Sequence, residues 1–236
     1  MSFAIPPILP VPPILPMKPL IIAIDGPSGA GKGTVARAIA GALGYRHLDS
    51  GAMYRAVGWK ALHDLVPLDD EDAIARLADR ADIAVSDSLV TIDGHDVTRA
   101  IRTPEIDKAA TAVARLPRVR AVLVALQRKE GSAGRIVMEG RDIGTVVFPT
   151  ADVKVYLDAS PDERARRRAN DPAHTGVPSA VSDVQSMLSQ RDEQDRTRTA
   201  SPLYAAPDAI VIDTTGKNID EVVREVMTVI GEKVKS

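Results

Sequence analysis

The chain has 236 residues and a formal net charge of −2, and its 44% hydrophobic and 26% charged residues are typical of a globular protein. Cysteine is absent, which excludes disulfide bonds and thiolate metal sites. The slight acidity argues against a dedicated nucleic-acid-binding protein, because such proteins carry an excess of positive charge. The four histidines are not spaced as zinc ligands, and no apolar run is long enough to span a bilayer. We therefore expect a cytoplasmic protein without a zinc site, a membrane partner or a nucleic-acid partner.

Residues 1–18 form a proline-rich leader ahead of the first strand-like run. The leader has no basic region and its prolines interrupt the apolar run, so it is not typical of a signal peptide. Proline at this density favours an extended, polyproline-like tail. Such a tail could be a PxxP-type ligand or a dispensable leader ahead of Met17, and the composition favours the second interpretation.

Short apolar runs without alternation predict strands that are buried on both faces. These runs lie at 20–25, 135–139, 153–159 and 209–214. Helical patterns separate them, at 33–43, 51–65, 103–113, 117–130, 160–169, 179–196 and 218–232. The alternation predicts an α/β fold, with a doubly wound parallel sheet and helices on both faces. The ligand site of such a sheet lies at the carboxyl ends of its strands.

Residues 81–103 break this alternation with short β-type runs separated by polar residues. Asp93 and Gly94 form a strong hairpin-turn signal between two of these runs. We therefore expect a small antiparallel insert between two helices.

Residues 26–32 fit the pattern G-x-x-x-x-G-K between a predicted strand and a predicted helix. The glycines allow successive N–H groups to turn inward, and the helix directs its positive end to the same point. Lys32 adds a charge that can reach the β- and γ-phosphates. We therefore expect an ATP-binding loop. Its predicted residues are Gly26, Pro27, Ser28, Gly29, Ala30, Gly31, Lys32, Gly33 and Thr34.

The residue after Lys32 departs from the usual loop, in which Ser or Thr holds a metal ion. Here that residue is Gly33, and the hydroxyl comes one position later, on Thr34. We expect the Mg²⁺ that accompanies ATP to be held mainly by phosphates and water, with Thr34 nearby. Asp25 and Asp49 follow strand-like runs beside the loop, and each could organise magnesium through water or cap a helix.

The G-K-G-T ending of the loop resembles nucleoside monophosphate kinases. Six later segments occur in the order expected of one family: "HLDSGAMYR" (47–55), "IRTPEI" (101–106), "LPRVR" (116–120), "EGRDIGTVVFP" (139–149), "KVYLDAS" (154–160) and "QRDEQDRTRTASPL" (190–203). Together they resemble bacterial cytidylate kinases from about residue 19 to the C-terminus. The resemblance implies a kinase domain at 19–236, with a monophosphate-binding insert near 66–115 and a lid near 160–176. It also implies a monomer that phosphorylates CMP, and dCMP, with ATP.

This chemistry needs no general base, because the attacking phosphate oxygen is already ionised near neutral pH. It needs arginines, whose forked donors match phosphate oxygens. The resemblance implies the following roles. Ser50, Arg55, Arg141 and Arg198 contact the acceptor phosphate; Asp195, steadied by Arg191, binds the sugar; Arg120, Asp142 and Thr111 read the base; and Lys32, Arg164, Arg168 and Arg191 act in catalysis. For any single arginine, an exposed helix face or a structural ion pair is the alternative.

The base-reading pair has a physical rationale beyond the resemblance. The carboxylate of Asp142 can accept a hydrogen bond from the cytosine amino group, and Arg120 can donate to the ring acceptors. Uracil would present a carbonyl oxygen to the same carboxylate, and a mismatched buried polar group is costly.

Other functions remain possible on sequence grounds. A P-loop kinase for adenylate, uridylate or shikimate would share the loop. A nucleotide-gated switch would share it too, although no separate partner domain or switch loop is evident. A kinase acting on nucleic-acid ends is disfavoured by the acidic net charge.

Overall fold

Five parallel strands form the central sheet in the order β2-β6-β1-β7-β8, in a computed structural model that describes residues 19–171 and 180–235. The strands, in chain order, are β1 (Ile21–Asp25), β2 (Arg46–Asp49), β3 (Ile83–Val85), β4 (Val90–Ile92), β5 (His95–Asp96), β6 (Ile136–Gly140), β7 (Val153–Asp158) and β8 (Ile210–Asp213). Every neighbouring pair in the five-stranded sheet is parallel. The predicted doubly wound sheet is therefore confirmed.

Helices follow most of these strands and cover both faces of the sheet. They are α1 (Lys32–Leu43), α2 (Ser50–His63), α3 (Glu71–Arg80), α4 (Pro104–Val113), α5 (Pro117–Gly131), α6 (Pro161–Ala169), α7 (Val181–Thr197) and α8 (Ile219–Lys235). A single π-helical turn spans Ile143–Val147. Among the described residues, two apolar cores pack against the sheet, and a smaller apolar cluster joins α6 to α7. One core lies between the sheet, α2, α4 and α5, and the other core lies between the sheet, α1 and α8.

The helix α3 and the π-helical turn were absent from the sequence prediction, and β2 was anticipated only as a strand-like run at Asp49. The strand β2 is an edge strand with Leu48 as its one strongly apolar residue, so it lacks the apolar run of an internal strand. The helix α3 has a clear start signal, because the side chain of Asp70 accepts a hydrogen bond from the N–H of Ala73. Its buried residues, Ile74, Ala75 and Ala78, recur at helical spacing.

The antiparallel insert is confirmed. Strands β3, β4 and β5 pair as an antiparallel sheet, and Asp93 and Gly94 connect β4 to β5. Both turn residues have positive φ, 49° and 78°, which is the conformation that two-residue hairpin turns favour. Residues 97–101 then lead from this sheet towards α4.

Two predicted segments lie outside the described residues, in whole or in part. The leader at 1–18 is one, and the other covers residues 172–176 of the predicted lid together with the start of the helix predicted at 179. The assignments of 66–115 to a monophosphate-binding region and of 160–176 to a lid stay predictions.

Candidate active site

A cleft of about 1210 Å³ opens at the carboxyl edge of the sheet. The ends of β1, β2 and β6 meet there, as the parallel register requires. Most residues predicted to act in the site line this cleft. They are Ser28, Gly29, Ala30, Gly31, Lys32, Gly33, Thr34, Ser50, Arg55, Thr111, Arg120, Arg141, Asp142, Arg168, Arg191, Asp195 and Arg198.

The phosphate loop takes a conformation that only glycine tolerates at its first position. Gly26 has a φ of 145°, and a Cβ atom there would lie 2.0 Å from the carbonyl oxygen of Leu157. Gly29 and Gly31 also have positive φ, and Gly31 is the residue before the first turn of α1. The free N–H groups at the start of α1 therefore face the cleft beside Lys32, which is an arrangement that binds anions.

Lys32 is buried at the base of this loop. Its ammonium group donates a hydrogen bond to the carbonyl oxygen of Pro27 over 2.7 Å. Burial, together with the positive charge of Arg141, lowers the pKa of Lys32 to about 7. An incoming phosphate would reverse this effect, because it supplies the negative charge that the empty pocket lacks.

Glu139 explains why residue 33 is glycine. A Cβ atom on Gly33 would lie 2.9 Å from Oε1 of Glu139, so a side chain there would meet the carboxylate. The same Oε1 lies 3.0 Å from Nε2 of His47, and Nδ1 of His47 lies 2.7 Å from Oδ1 of Asp87. Burial opposes protonation of His47, but these two carboxylates raise its pKa. A side chain at residue 33 would therefore have to displace the carboxylate of Glu139.

Asp25, at the end of β1, anchors the π-helical turn. Its carboxylate accepts hydrogen bonds from the N–H groups of Ile143, at 2.8 Å, and Gly144, at 2.7 Å. Burial raises the pKa of Asp25 to about 6, although these two bonds favour the charged form. Since Asp142 precedes this turn directly, Asp25 fixes the backbone that carries it. The Asp49 side chain caps α2 by accepting from the N–H of Ala52 and also pairs with Arg55.

One wall of the cleft carries the predicted base-reading residues. Arg120 donates to Oδ2 of Asp142, and Nη2 of Arg198 lies 3.5 Å from the other carboxylate oxygen. The guanidinium of Arg120 lies 5.2 Å from the ring centroid of Tyr54, within cation–π range. Thr111 lies on α4, where its hydroxyl donates to the carbonyl oxygen of Asp107.

Asp195 has partners that differ from the expected one. Its carboxylate accepts from Nε of Arg141 at 2.9 Å, and it lies 3.6 Å from Nη1 of Arg198. Burial would raise the pKa of Asp195, but the nearby positive charges of Arg141, Arg191 and Arg198 hold it below its usual value. Arg191, which was expected to steady Asp195, instead donates to Asp107 over 3.2 Å.

The two predicted lid arginines point to different places. Arg168 reaches the carboxylate of Asp107 and lines the cleft. Arg164 is only 5% exposed and donates to the carbonyl oxygens of Ala159 and Ser28, each over 3.1 Å. It also pairs with the buried Asp192 on α7. The structure therefore places Arg164 behind the phosphate loop and does not bring it into the cleft.

Several residues that line or support the cleft had no predicted role. They are Arg37, Tyr54, Arg102, Asp107, Glu139 and Arg167. Arg102 and Glu139 lie inside segments quoted for the family resemblance, and Asp107 directly follows one of them. Their location in or beside these segments is the sequence signal that could have identified them. Arg167 donates to the backbone and hydroxyl of Thr214, and its Nη1 would lie 3.6 Å from a Cβ on Gly31.

Among the described residues, some buried arginine N–H groups at the cleft lack a hydrogen-bond acceptor. Within the described part of the chain, the buried atoms Nε of Arg120, Nε of Arg191 and Nη2 of Arg198 have no hydrogen-bond acceptor. A buried donor without an acceptor is costly unless a ligand satisfies it. All three residues line the cleft, so an anionic ligand with several oxygens fits it.

No group of three or more His, Asp or Glu side chains in the described ranges is arranged to hold a metal ion by itself. No helix among residues 19–171 and 180–235 is long and apolar enough to cross a membrane.

Comparison with known proteins agrees with this geometry. A model of the cytidylate kinase family matches residues 22–232. The cytidylate kinase of Desulfitobacterium hafniense (strain Y51) is 46% identical over 220 residues, which cover 92% of this chain and 95% of that protein. The cytidylate kinase of Solibacter usitatus (strain Ellin6076) is 44% identical over 217 residues, or 91% of this chain and 94% of that protein.

A solved structure of a gluconokinase from Sinorhizobium meliloti 1021 superposes with a TM-score of 0.51 at 17% identity, covering 92% of this chain and 94% of that one. At this identity the likeness concerns the fold alone. The family is shown by the sequence relatives and by a family model that matches nearly the whole described chain. The chain belongs to the cytidylate kinase family.

Proposed function

We propose that the protein transfers the γ-phosphoryl group of ATP to CMP, and to dCMP, giving the corresponding diphosphates. The observation that carries this proposal is a glycine-rich loop that faces a cleft wall rich in arginine, with no histidine among the described residues that line it. Such a cleft gathers negatively charged phosphates and can act by positioning them and by stabilising their charge, which is what phosphoryl transfer requires.

ATP binds with its phosphates on the loop at residues 26–34. In the transfer, an oxygen of the CMP phosphate attacks the γ-phosphorus, the bond to the β–γ bridging oxygen breaks, and ADP leaves. Lys32 at the loop, with Arg168 and Arg191 across the cleft, stabilises the charge of the transferred group. We assign Arg164 a positioning role in catalysis, because it donates a hydrogen bond to the carbonyl oxygen of Ser28 in the loop.

CMP binds on the opposite side of the cleft. Its phosphate meets Ser50 at the start of α2 together with Arg55, Arg141 and Arg198. Asp195 accepts from the sugar, and Arg141 holds its carboxylate in place. The base meets Thr111 and the Arg120–Asp142 pair. Every group with a proposed role lies in one chain, so we propose that a single chain is active.

Bound Mg²⁺ would neutralise charge on the β- and γ-phosphates. Glu139, whose carboxylate lies beside Gly33, and Thr34 are the side chains that would hold it, acting through water. A carboxylate and a hydroxyl that act through water suit Mg²⁺, which prefers oxygen ligands and keeps several of its water molecules.

Turnover of CMP, dCMP, UMP and AMP by purified protein with ATP and Mg²⁺ tests the proposal. We expect CMP and dCMP to be phosphorylated much faster than UMP or AMP. Faster phosphorylation of UMP or AMP than of CMP would refute the assigned acceptor. ATP consumption that is equal with and without a monophosphate would refute the kinase assignment itself.

A further inference from the structure

Asp107 stands where arginines from three different helices converge. It lies on α4, and its carboxylate pairs with Arg168 of α6, with Arg191 of α7 over 3.2 Å, and with Arg55 of α2 over 3.2 Å. Asp107 has no role in the proposed phosphoryl transfer. Its three arginine partners all line the cleft.

Asp107 is the one carboxylate that contacts all three of these arginines among the described residues. Each of the three guanidinium groups also has a second acidic neighbour: Asp49 for Arg55, Asp171 for Arg168 and Asp195 for Arg191. Burial and the positive charges of Arg191 and Arg55 lower the pKa of Arg168 to about 10, although Asp107 and Asp171 oppose this shift. Without an anion at this point, the three arginines would repel one another in a partly buried space.

A carboxylate and a phosphate present the same kind of ligand to an arginine fork, namely negatively charged oxygens at matching spacing. In the empty cleft, Asp107 therefore occupies N–H groups that phosphate oxygens would take. Each of the three arginines gives Asp107 a single N–H donor: Arg55 through Nε, Arg168 through Nη2 and Arg191 through Nη1. Each guanidinium therefore has other N–H groups that do not donate to Asp107.

We propose that Asp107 is an internal counter-ion that holds Arg55, Arg168 and Arg191 in the empty cleft and yields them to the phosphates of the bound ligands. The proposal rests on the proposed function, in which these three arginines bind phosphate. It assigns Asp107 two opposite effects. The carboxylate stabilises the empty protein, and it weakens phosphate binding because ligand oxygens must displace it.

Neutralising Asp107 tests both effects. We expect Asp107→Asn to lower the melting temperature of the ligand-free protein by a few degrees and to tighten CMP binding several-fold, up to about tenfold. The CMP-induced rise in melting temperature should grow accordingly. Calorimetric titration gives the dissociation constant, and thermal unfolding with and without CMP gives the two melting temperatures.

Two further variants make the result specific. Glu105→Gln removes a negative charge from the exposed face of the same helix, two positions away, and should change the CMP affinity by less than about twofold. Asp107→Glu keeps the charge and should stay within about threefold of the wild-type affinity. If Asp107→Asn binds CMP no more tightly than the wild type, or less tightly, Asp107 merely positions the arginines and the proposal is wrong. Equal tightening in Glu105→Gln would also overturn it, because net charge alone would then explain the effect.

Inorganic pyrophosphate separates this proposal from the proposed function. It presents phosphate oxygens without a base or sugar, so Asp107→Asn should bind it more tightly whatever the acceptor nucleotide is. Wild-type protein that binds pyrophosphate but does not turn over CMP would refute the acceptor and leave the counter-ion proposal standing. Unchanged pyrophosphate affinity in Asp107→Asn, with normal CMP turnover, would refute the counter-ion proposal alone.

Discussion

Arg120 and Asp142 form a buried ion pair in the wall of the cleft, with side chains that are 3% and 6% exposed. The pair joins α5 to the segment between β6 and the π-helical turn. Because water does not reach either group, the hydrogen-bond donors and acceptors that the pair presents to the cleft stay in one arrangement. A base that mismatches this pattern leaves a buried polar group unsatisfied.

Asp142→Asn should relax base selection. Asparagine offers a donor as well as an acceptor, so it no longer disfavours the uracil carbonyl. We expect the ratio of kcat/KM for CMP to that for UMP to fall by about tenfold or more, which corresponds to one mispaired buried group. Steady-state kinetics with both acceptors measure the ratio. The KM for ATP is the internal control, and a loss of ATP affinity with intact CMP selectivity would contradict the base-reading role.

Lys32→Ala should reduce kcat by about two orders of magnitude or more, because the ammonium group stabilises charge that develops during transfer. Folding should survive, since a buried ammonium is costly and its removal relieves that cost below about pH 7. Activity assays and thermal unfolding at about pH 6 check the two parts. A turnover within about a factor of two of the wild type would show that Lys32 is not needed for transfer.

ATP binding should take up a proton at about pH 8. The pKa of Lys32 in the empty cleft is about 7, so the group is mostly neutral there, and the phosphates raise the pKa and recharge it. Calorimetric titrations in buffers of different ionisation enthalpy should give an uptake close to one proton per ATP at that pH. Lys32→Arg is the matched variant, because its guanidinium stays charged and should take up none. Equal proton uptake by the wild type and Lys32→Arg would show that a group other than Lys32 takes up the proton.

Gly33→Ala should impair ATP use, whereas Gly41→Ala on the same helix should not. The added methyl at position 33 meets the carboxylate of Glu139, which His47 holds in place, so the carboxylate must shift. We expect kcat/KM for ATP to fall several-fold. A methyl at position 41 meets nothing within 4 Å, so it should raise the free energy of unfolding by about 0.5–1 kcal/mol with unchanged activity. Kinetics and urea unfolding compare the pair, and full activity in Gly33→Ala would show that the carboxylate moves at no cost.

Features that depend on neighbours in the chain were predictable from sequence. The phosphate loop follows from glycine spacing between β1 and α1, and the hairpin turn follows from Asp93 and Gly94. The strand β2 was anticipated only as a strand-like run at Asp49, because an edge strand needs few apolar residues, and its pairing with β6 is a contact between distant segments. The helix α3 was missed although its cap and apolar spacing are local, so that miss was one of interpretation.

The partners of charged side chains were much less predictable. Arg164 and Arg168 are one helical turn apart on α6. Arg164 donates to the carbonyl oxygen of Ser28 in the phosphate loop, whereas Arg168 donates to Asp107. Arg191 was expected to steady Asp195, one turn away on α7. Its charge lowers the pKa of Asp195, but the hydrogen bonds run from Arg141 to Asp195 and from Arg191 to Asp107. A long charged side chain has many rotamers, so its partner depends on which helices pack against its own.

The sequence by itself determined the family, the parallel sheet and the set of residues available to the cleft, because motif spacing and hydrophobic period are local properties of the chain. Only the tertiary structure decided which of those residues contact one another. It placed the carboxylate of Glu139 against Gly33, and it brought Asp107 to three arginines from three helices. These contacts join segments far apart in sequence, and they form only when helices from both halves of the chain pack around one edge of the sheet.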